Sequence, residues 1–153
     1  MKLISSKKIS ALIKKLKEQK KKIIFTNGCF DIIHRGHIEY LKKAKSSGDV
    51  LIVGINSDDS VKKLKGPLRP INKLNDRIYI LEHLDFIDYI VSFSEETPYK
   101  LIKIIKPNVL VKGGDYKPEE VIGREFSKKL KIINFVKNYS TTGLINKIQK
   151  AAK

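Results

Sequence analysis

Short apolar runs alternate with amphipathic stretches along the chain. Ile9, Leu12, Ile13 and Leu16 recur at the spacing of one helix face and predict a first helix, closed by the charged run Lys17 to Lys22. Ile23 to Thr26 reads as a buried strand, and His37 to Ser47 as a helix stopped at Gly48. Val50 to Ile55 is continuous in apolar residues, as strands of parallel sheets are. Ser57 to Leu64 reads as a short helix, and Lys65 to Lys73, with Gly66, Pro67 and Pro70, as a loop. Leu74, Ile78, Leu81 and Leu84 mark a helix, and Tyr89 to Phe93 a third strand. Thr97-Pro98 opens a helix carrying Leu101, Ile104 and Ile105, and Val109 to Val111 is a fourth strand. Pro118 to Phe126 reads as helical, Ile132 to Val136 as a fifth strand, and Ser140 caps a last helix with Leu144, Ile145 and Ile148 inward.

Five strands alternating with helices, without linker or repeat, predict one α/β domain over residues 1–153. The expected fold is a doubly wound, five-stranded parallel sheet of Rossmann-like type, preceded by an N-terminal helix within 1–21. Ligands of such sheets bind outside the carboxyl ends of the strands, where the strand order reverses. The polar motifs share that address: Gly28 to His37, Asn56-Ser57-Asp58, Gly113 to Tyr116 and Ser140-Thr141-Thr142.

Composition narrows the classes. The chain has 153 residues, 41% hydrophobic and 31% charged, enough for one core. It has no apolar run of about 18 residues and no signal-like start, so no membrane association is expected. A single cysteine, Cys29, excludes an internal disulfide, and a cytoplasmic location is expected. Net charge is +16, which invites a nucleic-acid reading. The charge is nearly all lysine, spread along the chain beside abundant Ile and Asn, whereas phosphate and base recognition favours arginine. We read it as solvated faces that help steer anions, and expect no nucleic-acid partner.

His34-Arg35-Gly36-His37 sits where a strand turns into a helix, with free backbone N–H groups and a positive dipole end. Imidazoles at that spacing can both reach one phosphate and donate as charge builds up on it. The bland alternative is two packing histidines. Three hydroxyls at Ser140, Thr141 and Thr142 make a second anion site, or simply a helix cap. Lys65, Arg69 and Arg77 offer cations around the basic loop, which we expect to close over a bound nucleotide. Lys112-Gly113-Gly114-Asp115-Tyr116 could present backbone groups to a base. Cys29 reads as a small residue in a tight place, without a catalytic role. His83 reads as a surface or packing residue. The phosphate loop G-x-x-x-x-G-K-[ST] and the G-x-G-x-x-G turn are both missing, and no carboxylate at ligand spacing makes the histidine pair a metal site.

Thr26-Asn27-Gly28-Cys29-Phe30-Asp31, His34-x-Gly36-His37 and the late Ser140-Thr141-Thr142 resemble the nucleotidyltransferase superfamily with the H-x-G-H signature. Val53 to Asp58, Leu64-Lys65-Gly66, Arg69-Pro70, Arg77, Leu110 to Tyr116 and Glu119 to Gly123 look like the heptose 1-phosphate adenylyltransferases. The resemblance covers about Lys8 to Gln149 and implies adenylyl transfer from ATP, with Mg²⁺, to a heptose 1-phosphate, giving ADP-heptose for the lipopolysaccharide core. It implies catalytic roles for His34, His37 and Lys65, and nucleotide contacts at Asn27, Gly28, Cys29, Phe30, Asp31, Gly36, Gly113, Asp115, Ser140, Thr141 and Thr142. It implies acceptor contacts at Asn56, Asp58, Arg69 and Arg77, and a homodimer. Lys137-Asn138 departs from the acidic residue and glycine usual before S-T-T, and the stretch from Gly123 to Ser140 is shorter than in relatives. With no kinase domain expected in the chain, sugar phosphorylation would fall to another protein. The alternatives are cytidylyl transfer to glycerol 3-phosphate or another alcohol phosphate, a catalytically dead relative and, more distantly, a basic nucleic-acid-binding module.

Overall fold

The computed structural model describes residues 2–114, 116–134 and 139–152. Five strands, β1 (Ile23–Gly28), β2 (Val50–Asn56), β3 (Tyr89–Phe93), β4 (Val109–Gly113) and β5 (Lys129–Ile133), form one sheet. Their order is β3-β2-β1-β4-β5 and every pairing is parallel. Six helices accompany them: α1 (Ile9–Glu18), α2 (Arg35–Lys45), α3 (Asp58–Lys65), α4 (Leu74–Glu82), α5 (Tyr99–Ile105) and α6 (Thr141–Ala151).

The period-two alternation of the strands divides the core between two faces. Ile24, Leu51, Val53, Ile55, Val109 and Val111 pack under Leu41 and Ala44 of α2 and Ile78 and Leu81 of α4. Ile23, Phe25, Val50, Ile52 and Leu110 pack under Ile9, Ile13 and Leu16 of α1 and Leu101, Ile102 and Ile105 of α5. Both faces of the sheet are covered, as a doubly wound sheet requires. Residues 2–4 lie along β3, where Leu3 bridges Ile90.

Several local expectations are corrected. The fifth strand begins at Lys129 rather than Ile132 and ends at Ile133, while the expected continuation through Phe135 and Val136 lies outside the described residues. As an edge strand it alternates Lys129, Leu130, Lys131 and Ile132 instead of running apolar, so a search for a continuous run misses its first half. The segment Pro118 to Phe126 forms two short 3-10 turns, because Gly123 takes a left-handed φ of 81° that no helix continues through. The last helix is only shallowly seated: α6 has no buried residue and Ile148 is 58% exposed. On α5 Ile102 joins the expected Leu101 and Ile105 inward, while Ile104 faces out.

The site follows from a difference in pairing length. β1 pairs β2 from Ile23↔Val50 to Gly28↔Ile55, but pairs β4 only at Ile24↔Val109 and Phe25↔Leu110. Beyond Phe25 the two strands part, and side chains bridge the opening. Tyr40 Oη lies 2.5 Å from Thr26 Oγ1 on β1 and donates to the Val111 carbonyl of β4 at 3.3 Å. One step further out, Lys112 Nζ donates to Asn27 Oδ1 at 2.8 Å. Removing the Tyr40 hydroxyl leaves buried Thr26 without its partner. Tyr40→Phe is expected to lower unfolding free energy by about 1–3 kcal/mol, read from urea denaturation. An unchanged stability would show that the hydroxyl bridge does not hold the strands.

Candidate active site

At the end of β1 the chain turns back on itself. Phe30 adopts φ 47°, a left-handed conformation uncommon outside glycine. Its buried ring lies against Gly28 and meets the His37 ring edge-on, with centroids 5.5 Å apart. His34 then stands extended as the N-cap residue of α2, and His37 falls in the first helical turn. The two imidazoles stack with centroids 3.9 Å apart and planes 24° apart. Among the described residues Nδ1 of each ring is enclosed without a hydrogen-bond partner, and both histidines line the crevice. Gly36 is required by closeness: a Cβ there would stand 3.0 Å from Tyr139 Cβ and 3.1 Å from the His34 ring.

The same contact brings in the distant hydroxyls. Tyr139 immediately precedes Ser140, whose Oγ accepts from the Gly143 N–H at 3.0 Å and caps α6. Thr141 Oγ1 donates to the Ile32 carbonyl at 3.4 Å, tying the N-terminus of α6 to the turn after β1. The helix-cap reading of Ser140 is therefore correct, and the hydroxyl triad nevertheless lines the same crevice as His34 and His37. That crevice has a volume of about 890 Å³ and lies across the parted ends of β1 and β4. Asn27, Gly28, Cys29, Phe30, Asp31 and Gly36 also line it, as do Asn56, Lys65, Arg69 and Gly113. Asp115, Lys137 and Asn138 lie outside the described residues.

Two expected acceptor contacts are not on its wall. Arg77 is fully buried and engages its guanidinium internally: Nη1 donates to the Cys29 carbonyl at 2.6 Å, Nε to the Asn72 carbonyl at 3.0 Å, and Nη2 to Asp58 Oδ1 at 2.8 Å. Arg77 and Asp58 thus hold the turn rather than a ligand, because a buried guanidinium must satisfy its fork within the fold. Asp31 is also committed. Its carboxylate accepts from Arg69 Nε at 2.6 Å, Ile71 N at 3.0 Å and Asn72 N at 2.8 Å. Burial alone would raise its pKa, but the two amides and Arg69 outweigh burial and hold it below the usual carboxylate value. The basic loop is therefore tethered at 69–72, and Lys65 belongs to the last turn of α3 rather than to the loop.

Lys112 and Tyr116 line the crevice too; the sequence places both in the loop offered to a base, through its backbone groups, and assigns neither side chain a contact. Lys112 Nζ sits 5.9 Å from the Tyr116 ring centroid, and burial lowers its pKa. The legible signal is a lysine ending an otherwise apolar strand, Val109-Leu110-Val111-Lys112. Cys29 Sγ lies 4.0 Å from Asn56 Oδ1, and burial pushes the thiol pKa up despite the nearby cations Lys65, Arg77 and Arg69. A raised pKa disfavours the thiolate, which is the nucleophilic form. His83 caps α4 at the surface against Tyr79.

Burial sets the charge of the histidine pair. It lowers the His34 pKa, and with repulsion from His34 it lowers His37 from 6.5 to about 4. Both rings are neutral donors at neutral pH. Between pH 6.5 and 4 the unfolded chain takes up a proton at His37 that the folded chain refuses. The stabilisation is therefore complete above pH 6.5 and is lost as pH falls toward 4. Proton NMR of the imidazoles is expected to place the His37 midpoint near 4. A midpoint at or above the ordinary histidine value would overturn the burial argument.

Comparison with known proteins agrees with this geometry. The family model described as cytidylyltransferase-like matches residues 25–147. Bifunctional protein HldE of Sulfurimonas denitrificans is 57% identical over 141 residues, 92% of this chain and 30% of that protein. Bifunctional protein HldE of Helicobacter hepaticus is 53% identical over 150 residues, 98% of this chain and 31% of that protein. The chain thus spans about 30% of the length of these relatives. The crystal structure of a lipopolysaccharide core biosynthesis protein from Thermoplasma volcanium superposes with TM-score 0.63 at 29% identity, covering 78% of this chain and 99% of that one. The pantoate–β-alanine ligase of Francisella tularensis shares the fold, with TM-score 0.65 at 23% identity over 98% of this chain and 78% of that one. With a crevice built on the H-x-G-H turn and a family match over most of its length, the chain belongs to the cytidylyltransferase-like family of nucleotidyltransferases.

Proposed function

We propose that the chain transfers the adenylyl group of ATP to D-glycero-D-manno-heptose 1-phosphate, releasing pyrophosphate and forming ADP-heptose. The observation that carries this reading is the single crevice of about 890 Å³ shared by the histidine pair and the N-terminus of α6. It has the size of a small-molecule site and suits a nucleotide beside a sugar phosphate. The heptose assignment is supported by the Lys112-Gly113-Gly114-Asp115-Tyr116 resemblance, by the identity to the HldE proteins and by the lipopolysaccharide neighbour.

A sugar 1-phosphate is already an anion at neutral pH, so its oxygen needs no general base. It attacks the α-phosphorus in line, one P–O bond forms, and the bond to the β-phosphate oxygen breaks. Positioning and charge stabilisation then account for the rate. Nε2–H of His34 and His37 would donate to the α-phosphate as charge accumulates. Ser140, Thr141 and Thr142 with the free N–H groups of α6 would hold the leaving pyrophosphate. Lys65, Arg69 and Lys112 would balance the remaining charge, and Gly113 with its flanking loop would frame the base. Asn27, Gly28 and Gly36 would let the backbone come close to the nucleotide.

Mg²⁺ fits as a companion of the triphosphate rather than as a resident ion. The Asp31 oxygens are all engaged, and among the described residues no three potential ligands cluster. When bound with ATP it would neutralise phosphate charge, held by phosphate oxygens and water.

Pyrophosphate release is expected with ATP and heptose 1-phosphate, and not with CTP and glycerol 3-phosphate. The opposite preference would replace this reading with cytidylyl transfer. His34→Ala or His37→Ala is expected to lower kcat by about 100-fold or more with circular dichroism unchanged, and full activity in either would remove the proposed donors. The reading includes a homodimer, for which exposed Leu68, Ile71 and Tyr79 offer apolar surface. Sedimentation at assay concentration is expected to give twice the chain mass, and a monomer alone would exclude it.

A further inference from the structure

The crevice wall mixes donors and acceptors. The histidine pair, Lys65, Arg69 and Lys112 line it, and so do two carboxylates, Glu96 and Glu120. Asn56 and Glu96 stand at and just past the ends of β2 and β3, and Glu120 follows β4. Asn56, the last residue of β2, lines the crevice while only 3% exposed. Its Nδ2 donates to Ser60 Oγ at 2.9 Å, and Ser60 Oγ donates on to the Glu95 carbonyl at 2.9 Å. Among the described residues Asn56 Oδ1 meets only the Cys29 thiol, at 4.0 Å, which is a weak donor. A buried amide oxygen is thus left with capacity for a stronger donor.

The chain of bonds from Asn56 through Ser60 fixes the backbone just before Glu96. Glu95 turns away to Lys100, 3.6 Å off. Glu96 lines the crevice, and among the described residues its carboxylate has no ion-pair partner. An ionised carboxylate only accepts hydrogen bonds. It repels phosphate, so in an anion-binding crevice it suits the hydroxyl-bearing part of a ligand. In-line transfer says which ligand. Pyrophosphate departing toward α6 requires the attacking oxygen to arrive from the other side of the α-phosphate; Thr141 ties α6 to the turn after β1, whereas Asn56 and Glu96 stand at and just past the ends of β2 and β3.

We propose that the Glu96 carboxylate binds hydroxyl groups of the acceptor beside Asn56, whose acceptor contact the family resemblance already implies, and so selects a polyhydroxylated sugar phosphate over a simple alcohol phosphate. Ser60 acts as a positioning residue for both. The proposal rests on the adenylyl-transfer reading for the direction of attack. Hydroxyls of the nucleotide's ribose are the competing ligand of the same chemistry.

The test uses the full chain with Glu96→Ala and Glu96→Gln. Initial rates are measured with ATP against heptose 1-phosphate and against glycerol 3-phosphate, and ATP affinity is measured separately by calorimetry. Glu96→Ala is expected to raise KM for heptose 1-phosphate by about 10- to 100-fold, the scale for a hydrogen bond to a charged group. Glu96→Gln, which keeps one acceptor, is expected to raise it less. ATP affinity should stay within about twofold, a split that general loosening of the fold would not give. The preference for the sugar phosphate over glycerol 3-phosphate should fall by the same factor as KM rises. An unchanged KM in Glu96→Ala, or a loss of ATP affinity equal to the rise in KM, overturns the proposal. Failure of the reading beneath it shows in the wild type alone, as turnover with CTP in place of ATP. In that case the variants are judged by KM for whichever phosphate acceptor the wild type uses.

Discussion

The parting of β1 from β4 after Phe25 and Leu110 is the constraint on which the rest depends. Two parallel strands that stay paired leave no room for a ligand between them. Two that separate expose backbone polar groups, and these must be satisfied in another way. Here the gap is spanned by side chains of increasing polarity. Tyr40 bridges the buried level through Thr26 and Val111, and Lys112 bridges the outer level through Asn27. The strand order also reverses at this gap. Helix α2 starts beside it, and α6 reaches it through Thr141 and the Ile32 carbonyl. Two helix N-termini therefore converge on one opening, with a free-donor surface no single loop could supply.

The charged groups around that opening have unequal duties. Arg77 and Asp31 are buried, and each guanidinium nitrogen of the one and each carboxylate oxygen of the other has a partner within the fold. Breaking either set would leave an uncompensated buried charge, a cost of several kcal/mol on the scale of about 3–5. They are framework: Arg77 ties α4 to the Cys29 turn and to α3, and Asp31 ties the loop at 69–72 to the same turn. Lys65 is exposed at the crevice, Lys112 stands partly buried in its wall, and Arg69 lines it while its Nε holds Asp31, so these are the cations an incoming anion can meet. The net charge of +16 says nothing of this division, because most lysines lie on solvated faces and act only through the long-range field.

How far the chain can be read without coordinates follows the same line. The doubly wound sheet is legible because Val50 to Ile55 and Val109 to Val111 carry the continuous apolar pattern of strands buried on both faces. The site's address is legible because H-x-G-H stands at the turn from β1 into α2 and S-T-T opens the helix that follows β5. The start of β5 is hidden, since Lys129 and Lys131 interrupt the apolar pattern at an edge. The turns at 118–126 are hidden, since propensity does not reveal that Gly123 is left-handed. The roles of Arg77 and Asp58 escape the sequence for a deeper reason. Sequence shows that a cation is present near a motif, but whether its fork points to ligand or to carbonyls is decided by tertiary packing. Lys112 escapes by the converse error, a charged residue read as part of a loop when it ends a buried strand.

The stacked imidazoles are the last consequence of the fold. Two rings 3.9 Å apart, with Nδ1 of each enclosed, form a poor place for positive charge. Desolvation and mutual repulsion both oppose it. Phe30 adds an apolar edge against His37, and its left-handed backbone is what brings the ring there. The turn therefore carries conformational strain that keeps two neutral donors close together. Neutral donors discriminate differently from cations. A lysine attracts any anion at a distance, whereas an imidazole N–H is effective only within hydrogen-bond range and along its own axis. On the reading proposed above, mobile ammonium groups at the rim would attract polyphosphate broadly, and fixed neutral donors at the centre would favour the one placement in which a single phosphate lies under both rings.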